Sequence, residues 1–418
     1  MQNQPQPTNK FQDELPECTK GIKFQRGLYK SLTFLFGKII SFGCNYTYEP
    51  YEKKDGTYLI LANHNMDIDP VLLTLSLKMH MKFVASANVL QGFFGFFIRK
   101  LVNPIPRYKG APADEVVNFA ADNLRNGINV AMFPEGNKSW DGETCYISPR
   151  VVSMIRLSNC SLITYKFIGT YLKSPRWANH KRSGPIFGRP VHTIPAEELK
   201  KMSDDEIYQI IVNDLNVNVY AKDVVPSSKN KVIAYHSSRS AEGFESLAYL
   251  CPTCKCCDSI KSSKNKIRCA CGLEAEFDDY GKFSGNIDFT TPYDWNLFQK
   301  NYLKTHVDEY KSSTDLPFST DEDVTFIYRT SARNKNSFKN CKALLYGDKL
   351  KILDSDGIIL FEFRWENIVK LGMFRNTRVF FTVLVNNEEV RGEIFRKHGV
   401  SGIKYYAFWR ILSGKPYI

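Results

Sequence analysis

None of the 418 positions belongs to a run of 18 or more uninterrupted apolar residues, so no membrane-spanning helix is expected. No secretory leader is expected either. The first 17 residues, MQNQPQPTNKFQDELPE, are polar and read as disordered, with ordered chain expected from about residue 21. No serine or cysteine stands in a nucleophile-elbow context, which argues against a covalent intermediate on such a side chain. Acidic residues are short of basic ones, 44 against 56, giving a formal charge of +12 and a pI near 9.0. A basic balance suits an anionic partner: nucleic acid, the phosphates of a small molecule, or acidic lipid head groups.

What is present is enough apolar material, 43%, to build real cores, in a length that implies two to four domains. From Gly21 to Ser41, Phe24, Leu28, Leu32, Leu35 and Ile39 recur at helical spacing, interspersed with Lys23, Arg26, Lys30 and Lys38. That mix fits either an interfacial helix in a lipid head-group region or an ordinary helix packed on its own domain. Residues Gln91 to Lys100 (QGFFGFFIRK) hold four phenylalanines followed by two cations. Gly92 and Gly95 disfavour a helix interior there, so a membrane-touching loop or an apolar wall is the expectation.

The most informative stretch runs from Asn63 to Pro70 (NHNMDIDP). Thr57 to Ala62 (TYLILA) reads as a buried parallel strand, and Pro70 with the following VLLTLSL reads as the first turns of a helix. His64 and Asp69 then meet at the carboxyl end of a strand, where open α/β sheets keep their ligands. A carboxylate beside an imidazole fixes its tautomer and stabilises its cation, which makes His64 a candidate general base. The plainer alternative is that Asp69 only caps a helix. Asp67 is a second carboxylate in reach of the same histidine. Ile128 to Phe133 (INVAMF) is another buried strand, running into Pro134, Glu135, Gly136, Asn137, Lys138 and Ser139, a turn suited to an anion. Asn103 to Lys109 (NPIPRYK) adds Arg107, whose donor fork suits phosphate or carboxylate.

Taken in this order, the motifs resemble the glycerolipid acyltransferase family, typified by 1-acylglycerol-3-phosphate acyltransferases. Its first block, Asn-His-x-x-x-x-Asp, is matched by Asn63, His64 and Asp69. Its Phe-Pro-Glu-Gly-Thr-Arg-Ser block is matched by Phe133, Pro134, Glu135, Gly136 and Ser139, with Asn137 and Lys138 in place of threonine and arginine. Lys138 keeps the charge and loses the bidentate fork. The second block is matched loosely by Ile105, Pro106 and Arg107. The strand Ser161 to Ile168 lacks the proline of the fourth block, and the resemblance continues through Ser174 to Trp177 and Arg182 to Gly188. It spans roughly residues 20 to 220. It implies transfer of a fatty acyl group from acyl-CoA or acyl carrier protein to a lysophospholipid hydroxyl, foremost that of 1-acylglycerol-3-phosphate. His64 and Asp69 are then catalytic, and Arg107, Glu135, Gly136 and Lys138 bind the acceptor.

Cys251, Cys254, Cys256, Cys257, Cys269 and Cys271 put six of the eleven cysteines within 21 residues. In the absence of an export signal, a structural zinc ribbon explains them better than disulfides do, with Cys251, Cys254, Cys269 and Cys271 as ligands and Cys256 or Cys257 as possible substitutes. Bacterial members of the family resembled carry a cysteine-rich insert ending in a turn similar to Tyr280 to Phe283 (YGKF). Pro226 to Lys231 (PSSKNK) reads as a linker, followed by a short helix up to Ala248.

Beyond residue 320, VTFIYRT, KALLYG, KLKILD, GIILFEF, ENIVKLG, VFFTVLV and EVRGEIF read as short strands joined by turns. A final helix follows, with Ser401 as its N-cap and Ile403, Ala407 and Ile411 on one face. This pattern resembles a pleckstrin-homology-like barrel. Arg375, Arg378, Arg391, Arg396 and Lys397 fit a solvated face or a membrane contact. The fold expected is therefore α/β: an acyltransferase-like domain over 21–225, a helical linker and zinc ribbon over 226–310, and a PH-like β-barrel with a C-terminal helix over 320–418. Zinc is the expected metal, and the expected partners are an acyl carrier, a lysophospholipid and the cytoplasmic face of a membrane, bound peripherally, with no nucleic acid. A zinc-ribbon protein that binds nucleic acid or a protein partner, or a catalytically silent lipid-binding relative, would share the charge and the cysteines. The former leaves the His64–Asp69 pattern unexplained, and the intact pair argues against the latter.

Overall fold

A computed structural model describes residues 19, 21–52, 54–86, 102–107, 113–220, 232–330, 334–385, 388–396 and 399–415. The expected disordered N-terminus, the phenylalanine-rich 91–100 segment, the 226–231 linker and Lys397 lie outside the described residues.

The N-terminal part is a seven-stranded sheet. Its strands are β1 (Tyr46–Tyr48), β2 (Tyr58–Ala62), β3 (Lys82–Ser86), β4 (Ile105–Arg107), β5 (Val130–Met132), β6 (Ser161–Ile168) and β7 (Ile186–Ile194). Their order is β1-β7-β6-β2-β5-β3-β4, and every pair is parallel except β6 with β7. Every residue of β2 is buried, as a strand covered on both faces must be. Alternation decides which way each points. Leu59 and Leu61 join Val130, Met132 and the helices Ala113–Arg125, Val151–Ser158 and Asp204–Leu215 in one apolar cluster. Ile60 and Ala62 join Ala131, Ile163 and the helix Asp69–Leu77 in another.

The cysteine-rich region forms a four-stranded antiparallel sheet, β8 (Ile260–Ser263), β9 (Lys266–Cys269), β10 (Glu274–Phe277) and β11 (Phe283–Gly285), in sequential order. The short helix expected up to Ala248 is reduced to one 3-10 turn, Phe244–Ser246. Gly243 explains this: its φ is +95°, and a Cβ there would come within 2.4 Å of the Trp177 carbonyl oxygen.

Seven strands make the last sheet: β12 (Ser319–Arg329), β13 (Lys335–Leu345), β14 (Lys349–Leu353), β15 (Ile359–Arg364), β16 (Ile368–Phe374), β17 (Arg378–Val385) and β18 (Glu388–Phe395). Their order is β15-β14-β13-β12-β18-β17-β16, antiparallel throughout. Each expected strand is present. The ladder is not closed by hydrogen bonds, since β15 and β16 end the order among the described residues. The sheet instead folds over its own core: the Phe363 ring of β15 meets Phe381 of β17 edge-on, with centroids 5.1 Å apart. The closing helix Gly402–Leu412 begins at Ser401, whose Oγ accepts the Lys404 N–H. Its Trp409 indole N–H donates to the Ile368 carbonyl at 2.9 Å.

The ribbon and the last sheet share a single apolar cluster. Leu250, Cys251, Ile260, Phe277 and Trp295 are packed with Phe326, Trp365, Tyr405 and Phe408, and Trp140 and Trp177 of the first sheet's loops join them. Buried Lys404 crosses the same boundary, donating to Asp258 at 2.7 Å and lying 3.0 Å from Asp321.

Candidate active site

Strands β2 and β5 are parallel neighbours, so the turns that follow them emerge side by side. Asn63, at the end of β2, is fixed first. Its side chain donates to the Phe167 carbonyl at 3.0 Å and accepts the Phe167 N–H at 2.7 Å, which ties the turn to β6. His64 follows, half-buried, its ring stacked on Phe133 just beyond β5 with centroids 4.2 Å apart.

Asp69 opens the helix Asp69–Leu77, with Pro70 in the first turn, and has no exposed surface. Its Oδ2 lies 2.9 Å from His64 Nδ1 and accepts the backbone N–H groups of Asn65 and Met66, both at 2.8 Å. Asp69 does not cap the helix, whose N-cap position is Ile68 with no side-chain cap hydrogen bond; its one oxygen instead holds the preceding turn and orients the imidazole. With Nδ1 turned to the carboxylate, Nε2 is the nitrogen left to take a proton. Asp67, the other carboxylate of the motif, points elsewhere.

Glu135 lies beneath the site. Its Oε1 accepts the His64 N–H at 3.0 Å and its Oε2 accepts the Cys145 N–H at 2.9 Å. Burial pushes its pKa up to about 8, working against those two donors, which favour the carboxylate. Both oxygens are engaged by backbone, so the side chain shapes the loop that carries His64. Gly136 has φ +65°, and a Cβ there would lie 3.0 Å from Arg107 Nη1, so the Arg107 guanidinium lies close over this turn. Ser139 is buried and accepts the Gly142 N–H at 2.8 Å.

Lys138 does not stand alone. It donates to Asp67 Oδ1, while the other oxygen of that carboxylate is 3.2 Å from Arg375 Nη2, at the turn between β16 and β17. Burial would raise the Asp67 pKa, but Lys138, then Arg375 and His64, bring it below the ordinary carboxylate value. Beside this pair, Arg176 donates to the Lys138 carbonyl at 3.2 Å and to the Met373 carbonyl at 3.4 Å, with its guanidinium 4.4 Å from the Trp140 ring centroid. Burial lowers its pKa to about 10. Asn376 completes the junction by donating to the Trp177 carbonyl and to Asn179 Oδ1, each at 3.2 Å. Arg176 lies within the Ser174 to Trp177 stretch, but nothing local marks its contacts with Lys138 and Met373, and the Arg375 contact was not legible because 308 positions separate it from Asp67. Of the other cations singled out near it, Arg378 pairs with Glu393 at 2.8 Å and Arg396 with Asp321 at 3.8 Å.

The cysteines come together as the ribbon reading requires. The Sγ atoms of Cys251, Cys254, Cys269 and Cys271 all lie within 4.8 Å of one another, with Cys251 to Cys271 and Cys254 to Cys269 each at 3.7 Å. Zn–S bonds of about 2.3 Å in a tetrahedron place sulfurs about 3.8 Å apart, so this donor set fits zinc. Cys256 and Cys257 are not part of the cluster.

The helix Ile22–Gly43 packs through Gln25, Tyr29 and Gly37, where a Cβ on Gly37 would sit 3.0 Å from Leu75 Cδ2. Its apolar stripe faces away: Phe24, Leu35 and Ile39 are exposed, and so are Phe34, Phe36 and Phe42, the last at 89%. No helix among the described residues is long and apolar enough to cross a membrane.

Residues 45–167 match the family model described as Acyltransferase, a span that encloses both motifs, so this part of the chain is an acyltransferase domain. Among solved structures, the 1-acyl-sn-glycerophosphate (LPA) acyltransferase PlsC from Thermotoga maritima is similar at 18% identity, over 46% of this chain and 79% of that one, with a TM-score of 0.40. A PH domain from TgAPH is similar at 10% identity over 28% of this chain and 98% of that one, with a TM-score of 0.18. The DH/PH domains of p115-RhoGEF are similar at 12% identity over 30% of this chain and 46% of that one, with a TM-score of 0.17. No curated protein matches the sequence.

Proposed function

We propose that this acyltransferase moves a fatty acyl group from a thioester, acyl-CoA or acyl carrier protein, to the free hydroxyl of a lysophospholipid, foremost 1-acylglycerol-3-phosphate, giving phosphatidate. The observation that carries the proposal is the His64 Nδ1 to Asp69 Oδ2 contact of 2.9 Å inside a matched acyltransferase segment. His64 Nε2 takes the hydroxyl proton as the oxygen attacks the thioester carbonyl carbon. A C–O bond forms, the tetrahedral oxyanion collapses, and the C–S bond breaks. The imidazolium returns its proton to the departing thiolate, leaving an ester, a free thiol and a neutral histidine. Buried Asp69 stabilises the imidazolium between those two transfers.

Cationic residues around the Glu135–Gly136 turn support a phosphorylated acceptor: Arg107 over Gly136 and Lys138 at the next turn position but one. The exposed stripe of the N-terminal helix supports peripheral attachment to a membrane on the cytoplasmic side, where a lysophospholipid reaches the site without leaving the lipid surface. The four-cysteine cluster would hold zinc structurally. A closed four-thiolate site leaves no position for substrate, and its metal would fix the ribbon against the last sheet. The test is to offer purified protein lysophosphatidate with acyl-CoA or acyl carrier protein, each in turn, and to identify the lipid product by mass. Phosphatidate with at least one donor supports the reading. Acylation confined to an acceptor without phosphate would replace the proposed acceptor.

A further inference from the structure

The Asp67 carboxylate sits where two cations converge from separate parts of the chain: Lys138 on Oδ1, 71 positions from Asp67, and Arg375 on Oδ2, 308 positions from it. Arg176 also contributes to the field there, since Asp67 is among the charges that act on its guanidinium. This is the geometry of a bound anion, met by an internal one. Asp67 is a poor permanent occupant, because its side chain is 65% exposed and its release into water costs little. Lys138 alone offers a point charge, without the fork that arranges a phosphate bidentately. Arg375 brings a fork to the same place, on a hairpin anchored by Asn376 and, through Arg176, by Met373.

We propose that Arg375, supplied by the C-terminal sheet, is a specificity-determining residue for the acceptor's phosphate monoester, and that Asp67 is an internal counter-ion which the phosphate displaces. This inference rests on the acyl-transfer reading for its substrate but not for its binding test. A phosphate monoester carries about −1.5 to −2 charges near pH 7 and three acceptor oxygens. It therefore outcompetes a single exposed carboxylate for Lys138 and Arg375 together. On this view the last sheet is part of the active site, and an acyltransferase domain cut off from it would keep its base and lose its preference for phosphate.

The experiment compares the native full chain with Arg375→Ala, Arg375→Lys, Asp67→Asn and Asn376→Ala, after equal thermal melting has been checked. Two readouts are taken. One is equilibrium binding of short-chain lysophosphatidate below its micelle concentration, without acyl donor. The other is KM and kcat with lysophosphatidate and with a monoacylglycerol. Arg375→Ala is expected to weaken lysophosphatidate binding about 10-fold or more, with KM following and the monoacylglycerol values unmoved. Arg375→Lys is expected to fall between. Asp67→Asn is expected to tighten lysophosphatidate binding, because the internal competitor is gone, and Asn376→Ala, which loosens the hairpin that places Arg375 without removing charge, to shift the acceptor ratio in the direction of Arg375→Ala but by less. Equal losses for both acceptors in Arg375→Ala, or weaker binding in Asp67→Asn, would overturn the inference by making both residues structural. Binding that follows this pattern in a protein that forms no ester would leave the inference standing and overturn the acyl-transfer reading instead.

Discussion

Glu135 holds the backbone N–H of His64 at 3.0 Å with one oxygen and that of Cys145 at 2.9 Å with the other, so the two motifs of the site are joined by a single buried carboxyl. The acid residue of the Phe-Pro-Glu-Gly turn acts on the position of the histidine rather than at the mouth of the site.

Glu135 also sets a pH dependence. Its folded-state pKa of about 8 lies above the ordinary 4.5, because burial disfavours the charge. Between those values the unfolded chain has released the proton and the native protein has kept it, so stability falls as pH rises through that window. Glu135→Gln has no such loss. Urea unfolding of both proteins at pH 5 and pH 8.5 should show the native protein's stability declining relative to the variant's as pH rises. A gap that stays constant would mean the carboxyl is already ionised at pH 5.

Asp69→Asn should keep the fold and lose the chemistry. An amide oxygen can still accept from Asn65 and Met66, but it carries no charge to stabilise an imidazolium. A fall in kcat of about 10²-fold or more with little change in KM is expected. A change confined to KM would assign Asp69 to binding.

The ribbon should carry one zinc per chain by elemental analysis, absent from Cys254→Ser. Cys251 and Cys269 belong to the apolar cluster shared with Phe326 and Phe408, so metal loss should lower the melting temperature of the last sheet as well. Purified native protein free of zinc with an unchanged melting point would contradict the assignment.

Exposed Phe34, Leu35, Ile39 and Phe42 make no core contact whose loss would unfold the domain. Replacing Leu35, Ile39 and Phe42 by serine should leave thermal stability within about 1 kcal/mol and reduce co-sedimentation with anionic vesicles several-fold. Unchanged sedimentation would move the membrane contact elsewhere on the chain.

The sequence shows what depends on local pattern. Buried β2 and β5, the His64 to Asp69 spacing, the cysteine knuckles and the seven C-terminal strands each follow from a few neighbouring residues. The tie between Asn63 and Phe167, 104 positions away, is not local, and neither is the Asp67–Arg375 pair, because both depend on which elements become neighbours. The stripe of the first helix was legible as a stripe; that it faces away from the domain follows only from Gly37 and Tyr29 packing on the helix Asp69–Leu77. Glu135 looked like an acceptor ligand because a turn glycine and a lysine flank it, and nothing in its neighbourhood announces that two distant N–H groups occupy it.

The most direct test is the lipid product formed by purified protein from acyl-CoA and lysophosphatidate in detergent micelles, identified by mass spectrometry, beside His64→Ala. Phosphatidate from the native protein, lost about 10²-fold or more in the variant, is the expected result. Equal product from both proteins would contradict a His64-dependent transfer, and no product with any lysophospholipid or either donor would make the protein a lipid binder that does no acyl transfer.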